Sequence, residues 1–153
     1  MTLLIHPTPA VWPSRLASQR LGRGERRKTR VLLVEDDMAI ALMYQLQLAS
    51  DGYDVELAAD GVSGLRQLQE DPPDLILLDI RLPRMPGLDV LRAIALDPRV
   101  AGVPVLILSN YGEPEIVREG LHLGARDYLI KSQTTPILLS MRLREYLHPE
   151  TSG

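Results

Sequence analysis

The 153-residue chain has no cysteine, which excludes both a disulfide framework and a thiolate metal site. No apolar stretch reaches the ~18 residues a transmembrane helix needs. The apolar start Leu3-Leu4-Ile5 stops at Pro7, too short for the core of a signal peptide. Histidine is scarce: His6, His122 and His148 are too scattered for a metal site, and all three are expected at the surface. These absences lead to the expectation of a cytoplasmic protein with no membrane contact.

The composition is 45% hydrophobic, enough for one compact domain with a real core. Net charge is −3, unevenly spread. Residues 1–30 carry seven basic residues and one acid; residues 31–153 carry ten basic and nineteen acidic. An acidic body argues against nucleic acid as a direct partner. The basic segment is rich in Pro, Ser and Arg without apolar periodicity, so residues 1–28 read as a disordered tail. A nucleic-acid arm, an Arg-rich transit peptide and a misplaced translation start leave the same signature. Residues 149–153 read as a short C-terminal tail.

Between the tails, strands and helices alternate. Strands are expected at about 30–34, 53–58, 74–78, 103–108 and 127–130. Helices are expected at about 38–50, 61–70, 88–95, from 114 to between 120 and 124, and 136–147. In the first helix Ala39, Leu42, Met43, Leu46 and Ala49 share one face, and Asp51-Gly52 stops it. Pro114 suits the first turn of the fourth. The strands read as continuous apolar runs rather than alternating ones, the mark of a parallel sheet covered on both faces.

Chemistry collects at the strand ends. Val31-Leu32-Leu33-Val34 runs into Glu35-Asp36-Asp37, and Leu75–Leu78 into Asp79. The Val103–Leu108 run leads to Ser109, and Tyr128-Leu129-Ile130 to Lys131. Acids, a hydroxyl and a lysine would thus converge on the carboxyl edge of one sheet, where open α/β sheets bind ligands. A carboxylate can attack phosphorus to give an aspartyl-phosphate. Clustered carboxylates repel, which invites a divalent cation such as Mg²⁺ that takes hard oxygen ligands. Each residue alone also has a plainer reading. The three acids suit a helix N-terminus, Asp79 a turn, Ser109 a cap, Lys131 a solvated charge and Tyr128 half-buried packing.

Taken together, residues 29–148 resemble the receiver domain of two-component response regulators. The resemblance rests on the acidic pair after strand 1, on Asp79 followed by Leu82-Pro83, and on Ser109. It rests also on Gly124-Ala125-Arg126-Asp127-Tyr128-Leu129-Ile130-Lys131. It implies a flavodoxin-like (βα)5 three-layer sandwich with a parallel five-stranded sheet in the order 2-1-3-4-5. It implies a phosphoryl group taken from a sensor histidine kinase or phosphotransfer protein onto Asp79. Glu35, Asp36, Asp79 and the backbone carbonyl of Arg81 would hold Mg²⁺ or Mn²⁺. Lys131 and Ser109 would contact phosphoryl oxygens, and Ser109 and Tyr128 would form the switch. Arg81 and Tyr111 would flank the phosphoryl group and slow its hydrolysis.

The pattern departs from the family at three places. Lys131-Ser132 replaces Lys-Pro, whose peptide is cis; a cis bond before a non-proline residue costs about 3–4 kcal/mol, so the geometry here stays open. Asn110 replaces a small residue, and Ser109 a threonine. The expected role is a stand-alone switch rather than a turnover enzyme, acting on a downstream effector in trans. A phosphorylation-independent adaptor of the same fold is the alternative. A haloacid-dehalogenase-type phosphohydrolase needs an aspartate at position 81, where this chain has Arg. The last helix carries a second apolar stripe, Ile137, Leu138 and Met141, where a surface helix is normally polar. It is expected to form an effector contact or a phosphorylation-dependent homodimer; packing under the tail or the 132–135 loop is the plainer reading.

Overall fold

The computed structural model describes residues 27–149. The expected tails lie outside them, apart from Arg27, Lys28 and Pro149, and so does His6. Five strands alternate with five helices: β1 Arg30–Val34, α1 Met38–Ser50, β2 Asp54–Ala58, α2 Gly61–Glu70, β3 Leu75–Leu78, α3 Gly87–Leu96, β4 Val105–Ser109, α4 Pro114–His122, β5 Asp127–Ile130 and α5 Pro136–Leu147. A 3-10 turn, Lys131–Gln133, joins β5 to α5. The sheet is wholly parallel, in the order β2-β1-β3-β4-β5. This is the flavodoxin-like order expected above.

Leu75–Leu78 fill the central strand and are fully buried, each side chain adding about 1.5–3 kcal/mol by leaving water. Alternate residues supply two cores. Val31, Leu33, Leu75 and Leu77 pack with α1 and α5, whereas Leu32, Val34, Ile76 and Leu78 pack with α2, α3 and α4. Strand β3 starts at Leu75 rather than Asp74, and β4 spans Val105–Ser109 rather than 103–108.

Two sequence readings are corrected. The face of α1 that carries Ala39, Leu42, Met43, Leu46 and Ala49 points to solvent; Leu42 is 41% and Leu46 72% exposed. Ala41, Tyr44 and Leu48 cover the sheet instead. The helix is apolar almost all round, so periodicity left two possible phases. Strand β2 is not a continuous apolar run: Asp54 and Glu56 alternate with Val55 and Leu57 on this edge strand, and both acids are buried. Arg30, counted above with the basic segment, is buried as well. Its guanidinium meets Glu56 at 3.1 Å and Asp71 at 3.0 Å, which repays part of the cost of taking those charges out of water. Among the described residues no helix is long and apolar enough to cross a membrane.

Candidate functional site

The first strand end shows how local structure divides three adjacent acids. Asp37 caps α1, accepting from the amides of Ala39 at 3.0 Å and Ile40 at 3.2 Å. Glu35 turns inward, buried, and accepts from the Asp37 amide at 3.0 Å. Asp36 stays exposed. The helix-terminus reading therefore holds for Asp37 and not for its two neighbours.

Asp79 follows β3 at the centre of the sheet and is buried; its amide donates to the Val34 carbonyl at 3.1 Å. From the end of β5, two strands away, Lys131 donates to Asp79 Oδ2 at 2.9 Å and pairs with Glu35 Oε1. Glu35, Asp36 and Asp79 each offer a carboxylate oxygen within 4.8 Å of the others. At an effective dielectric of about 20, a pair of like charges at that separation repels by about 3 kcal/mol, less where the exposed Asp36 takes part. Burial pushes the Glu35 carboxyl up, though the Lys131 and Asp37 contacts oppose it. Burial also works against the Lys131 ammonium, but its bonds to Glu35 and Asp79 outweigh that and raise its pKa. Three carboxylates and one ammonium leave an excess of negative charge on hard oxygen donors. That donor set fits Mg²⁺ or Mn²⁺ and not a thiolate-seeking metal.

Ser109 ends β4, fully buried, its Oγ accepting from the Tyr111 amide at 3.2 Å. Tyr128 on β5 is half-buried, and its hydroxyl donates to the Tyr111 carbonyl. The ring is thus turned in against the β4–α4 loop, and burial raises its pKa. The Arg81 guanidinium lies over the Tyr111 ring, 4.1 Å from its centroid, so residues two places beyond Asp79 and Ser109 stack on each other. Asn110 is exposed, and no peptide bond among the described residues is cis, so Lys131 reaches both acids from a trans peptide.

Ile137, Leu138 and Met141 are 62%, 48% and 56% exposed on α5, while Leu139 and Leu143 of the other stripe are buried. A cleft of about 160 Å³ between β5 and α5 is lined by Leu129, Leu138, Met141 and Arg142 among others. His122 and His148 are at the surface, as expected. One feature escaped the sequence reading: the solvent-facing apolar stripe of α1 begins at Met38, directly beside the acids.

Comparison with known proteins gives the same picture from another side. A family profile described as the response regulator receiver domain matches residues 31–142. The DNA-binding dual master transcriptional regulator RpaA of Synechocystis sp. is 39% identical over 102 residues, which are 67% of this chain and 42% of RpaA. The chain spans less than half the length of the curated relatives it matches first. The chemotaxis response regulator CheY4 of Vibrio cholerae superposes with a TM-score of 0.73 at 32% identity, over 78% of this chain and 99% of that one. The Mn²⁺-bound form of response regulator Rcp1 gives 0.70 at 28%, over 78% and 95%.

Proposed function

The chain belongs to the response regulator receiver domain family, and from that premise we propose that it is a phosphoacceptor switch whose acceptor is Asp79. The observation that carries this reading is the Lys131 ammonium held between Asp79 and Glu35, with Asp36 within 4.8 Å of both acids.

A carboxylate oxygen of Asp79 attacks the phosphorus of a phosphohistidine on a sensor kinase or phosphotransfer protein. The new P–O bond forms as the P–N bond breaks, and its electron pair returns to the donor imidazole. Glu35, Asp36, Asp79 and the Arg81 carbonyl would hold Mg²⁺ or Mn²⁺, which would supply charge neutralisation for the incoming phosphoryl group. Rcp1, crystallised with Mn²⁺, is a precedent for that choice of ion. Lys131 neutralises one phosphoryl oxygen. The Ser109 hydroxyl, which accepts from the Tyr111 amide, donates its own proton to a second oxygen. Drawing Ser109 towards the phosphoryl group pulls on the loop to which Tyr128 is bonded, so a charge event at Asp79 reaches the β5–α5 face.

Each domain spends its own nucleophile, so it acts as a switch and not as a turnover enzyme. The apolar stripe of α1, beside the acids, is where the phosphodonor protein docks. Ile137, Leu138 and Met141 form the surface for an effector or a second copy. The setting is cytoplasmic. DNA binding is named for RpaA, of which this chain covers 42%, and is not part of this proposal.

Incubation with acetyl phosphate tests the reading. Mg²⁺-dependent labelling that disappears in Asp79→Asn, with the fold intact, is the expected result. Undiminished labelling in that variant sinks the assignment; no labelling of the parent leaves a phosphorylation-independent binding module.

A further inference from the structure

The segment that carries Lys131 reads Lys131-Ser132-Gln133-Thr134-Thr135, with no proline to stiffen it. Its shape rests on hydrogen bonds. Thr134 closes the turn on itself, its hydroxyl donating to the Ile130 carbonyl at 2.7 Å and its amide to the Lys131 carbonyl at 3.1 Å. Thr135 caps α5 through the Leu138 amide at 3.2 Å. These bonds shape the turn but do not say where it stands relative to the acids.

Strand β5 fixes where the turn begins, Ile130 pairing with Ser109 on β4, and α1 holds its far end. The Tyr44 hydroxyl donates to the Thr134 carbonyl at 2.8 Å, across 90 residues of sequence. Tyr44 is 1% exposed, so its end of this bond is shielded from water, where hydrogen bonds are strong and lost partners costly. It lies on the helix that starts immediately after Glu35, Asp36 and Asp37. The hydroxyl is near enough to Lys131 and Glu35 for both charges to act on its pKa, which burial raises. One rigid helix thus follows the acids at its start and grips the lysine turn two turns later. Lys131's own ion pairs cannot substitute for this grip. Its flexible four-carbon stem lets the ammonium stay near a carboxylate while the turn drifts.

Resting on the receiver reading above, the geometry points to Tyr44 as a positioning residue for phosphoryl transfer: its hydroxyl sets where Lys131 stands relative to Glu35 and Asp79. The ring has the separate task of filling the core between α1 and the sheet. Tyr44→Phe therefore separates the two roles.

The test is a double-mutant cycle on Mg²⁺-dependent labelling by acetyl phosphate, in the parent, Tyr44→Phe, Lys131→Ala and the double variant. Loss of one hydrogen bond predicts labelling about threefold to tenfold slower in Tyr44→Phe. In the Lys131→Ala background the same change should have no further effect, because the group it positions is gone. Amide exchange over residues 131–135 should accelerate in Tyr44→Phe, a readout independent of labelling that decides alone if Lys131→Ala labels too slowly to compare. A parent-like rate in Tyr44→Phe, equal slowing in both backgrounds, or unchanged exchange over 131–135 overturns the inference. A parent that takes no label overturns the phosphoacceptor reading itself, whereas a labelled parent with an indifferent Tyr44→Phe overturns this inference alone.

Discussion

Gly87 tests how tightly Asp79 is held. It opens α3, buried, and its amide donates to the Ile80 carbonyl at 2.8 Å. A Cβ built there lies 2.0 Å from the Asp79 carbonyl oxygen and 2.8 Å from the Ile80 Cα. Real Cβ atoms essentially never come within 3.0 Å of such neighbours, so in Gly87→Ala the Asp79 main chain and α3 must part by about 1 Å. Both neighbours are backbone, with no flexible side chain to yield. Overpacking of this kind costs about 1–3 kcal/mol. For a domain of this size that lowers Tm by about 3–12 °C. A displacement of about 1 Å at a reacting group costs about 10²-fold in rate. Labelling by acetyl phosphate and a thermal melt, read side by side, check both numbers. Gly102→Ala is the control, since a Cβ there meets nothing within 4 Å. It should label as the parent does and melt no lower. If Gly87→Ala labels at the parent's rate and melts at the parent's temperature, the contact with Asp79 does not hold that residue in place.

Four further outcomes follow from particular contacts. Tyr111→Ala removes the stack with Arg81 and should shorten the lifetime of the aspartyl-phosphate; a decay no faster than the parent's rules out shielding. Leu138→Glu and Met141→Glu should abolish association induced by beryllofluoride in sedimentation, and variants that associate like the parent in both states would place the interface elsewhere. Leu42→Glu on the exposed stripe of α1 should change stability by no more than about 0.5 kcal/mol. It should slow transfer from a phosphohistidine protein but leave labelling by acetyl phosphate alone, and equal slowing of both would refute docking there. Arg99, bonded to Asp97, holds that carboxyl down at about 2. Because the folded value lies below the ordinary one near 3.9, this contact stabilises fully above about pH 4 and is lost as pH falls towards 2. Arg99→Ala should flatten the fall in the urea midpoint over that window, and an unchanged slope would show that the Arg99 side chain contributes nothing through Asp97.

The elements and the site residues were legible in the sequence because they follow from short-range rules. Apolar runs that stop at Asp79, Ser109 and Lys131 announce strand ends, and Asp51-Gly52 and Pro114 announce where helices stop and start. Parallel strands then bring those ends to one edge without further information. Tertiary structure alone decided the rest. Three acids in a row did not say that Asp37 would cap α1 while Glu35 turned in to Lys131. Periodicity did not choose between the two apolar faces of α1, since Ala41, Tyr44 and Leu48 fit a helix stripe as well as Leu42 and Leu46 do. Arg30 was legible as the start of β1, but its partner Glu56 came only with the pairing of β1 and β2. Nothing local connects Tyr44 with Thr134. A sequence records which residues suit a strand end, a cap or a helix through backbone and solvent preferences that act over a few positions. Which of two suitable faces is buried, and which distant groups meet, depends on how whole elements pack, and that is settled only when the sheet and its two helical layers close together.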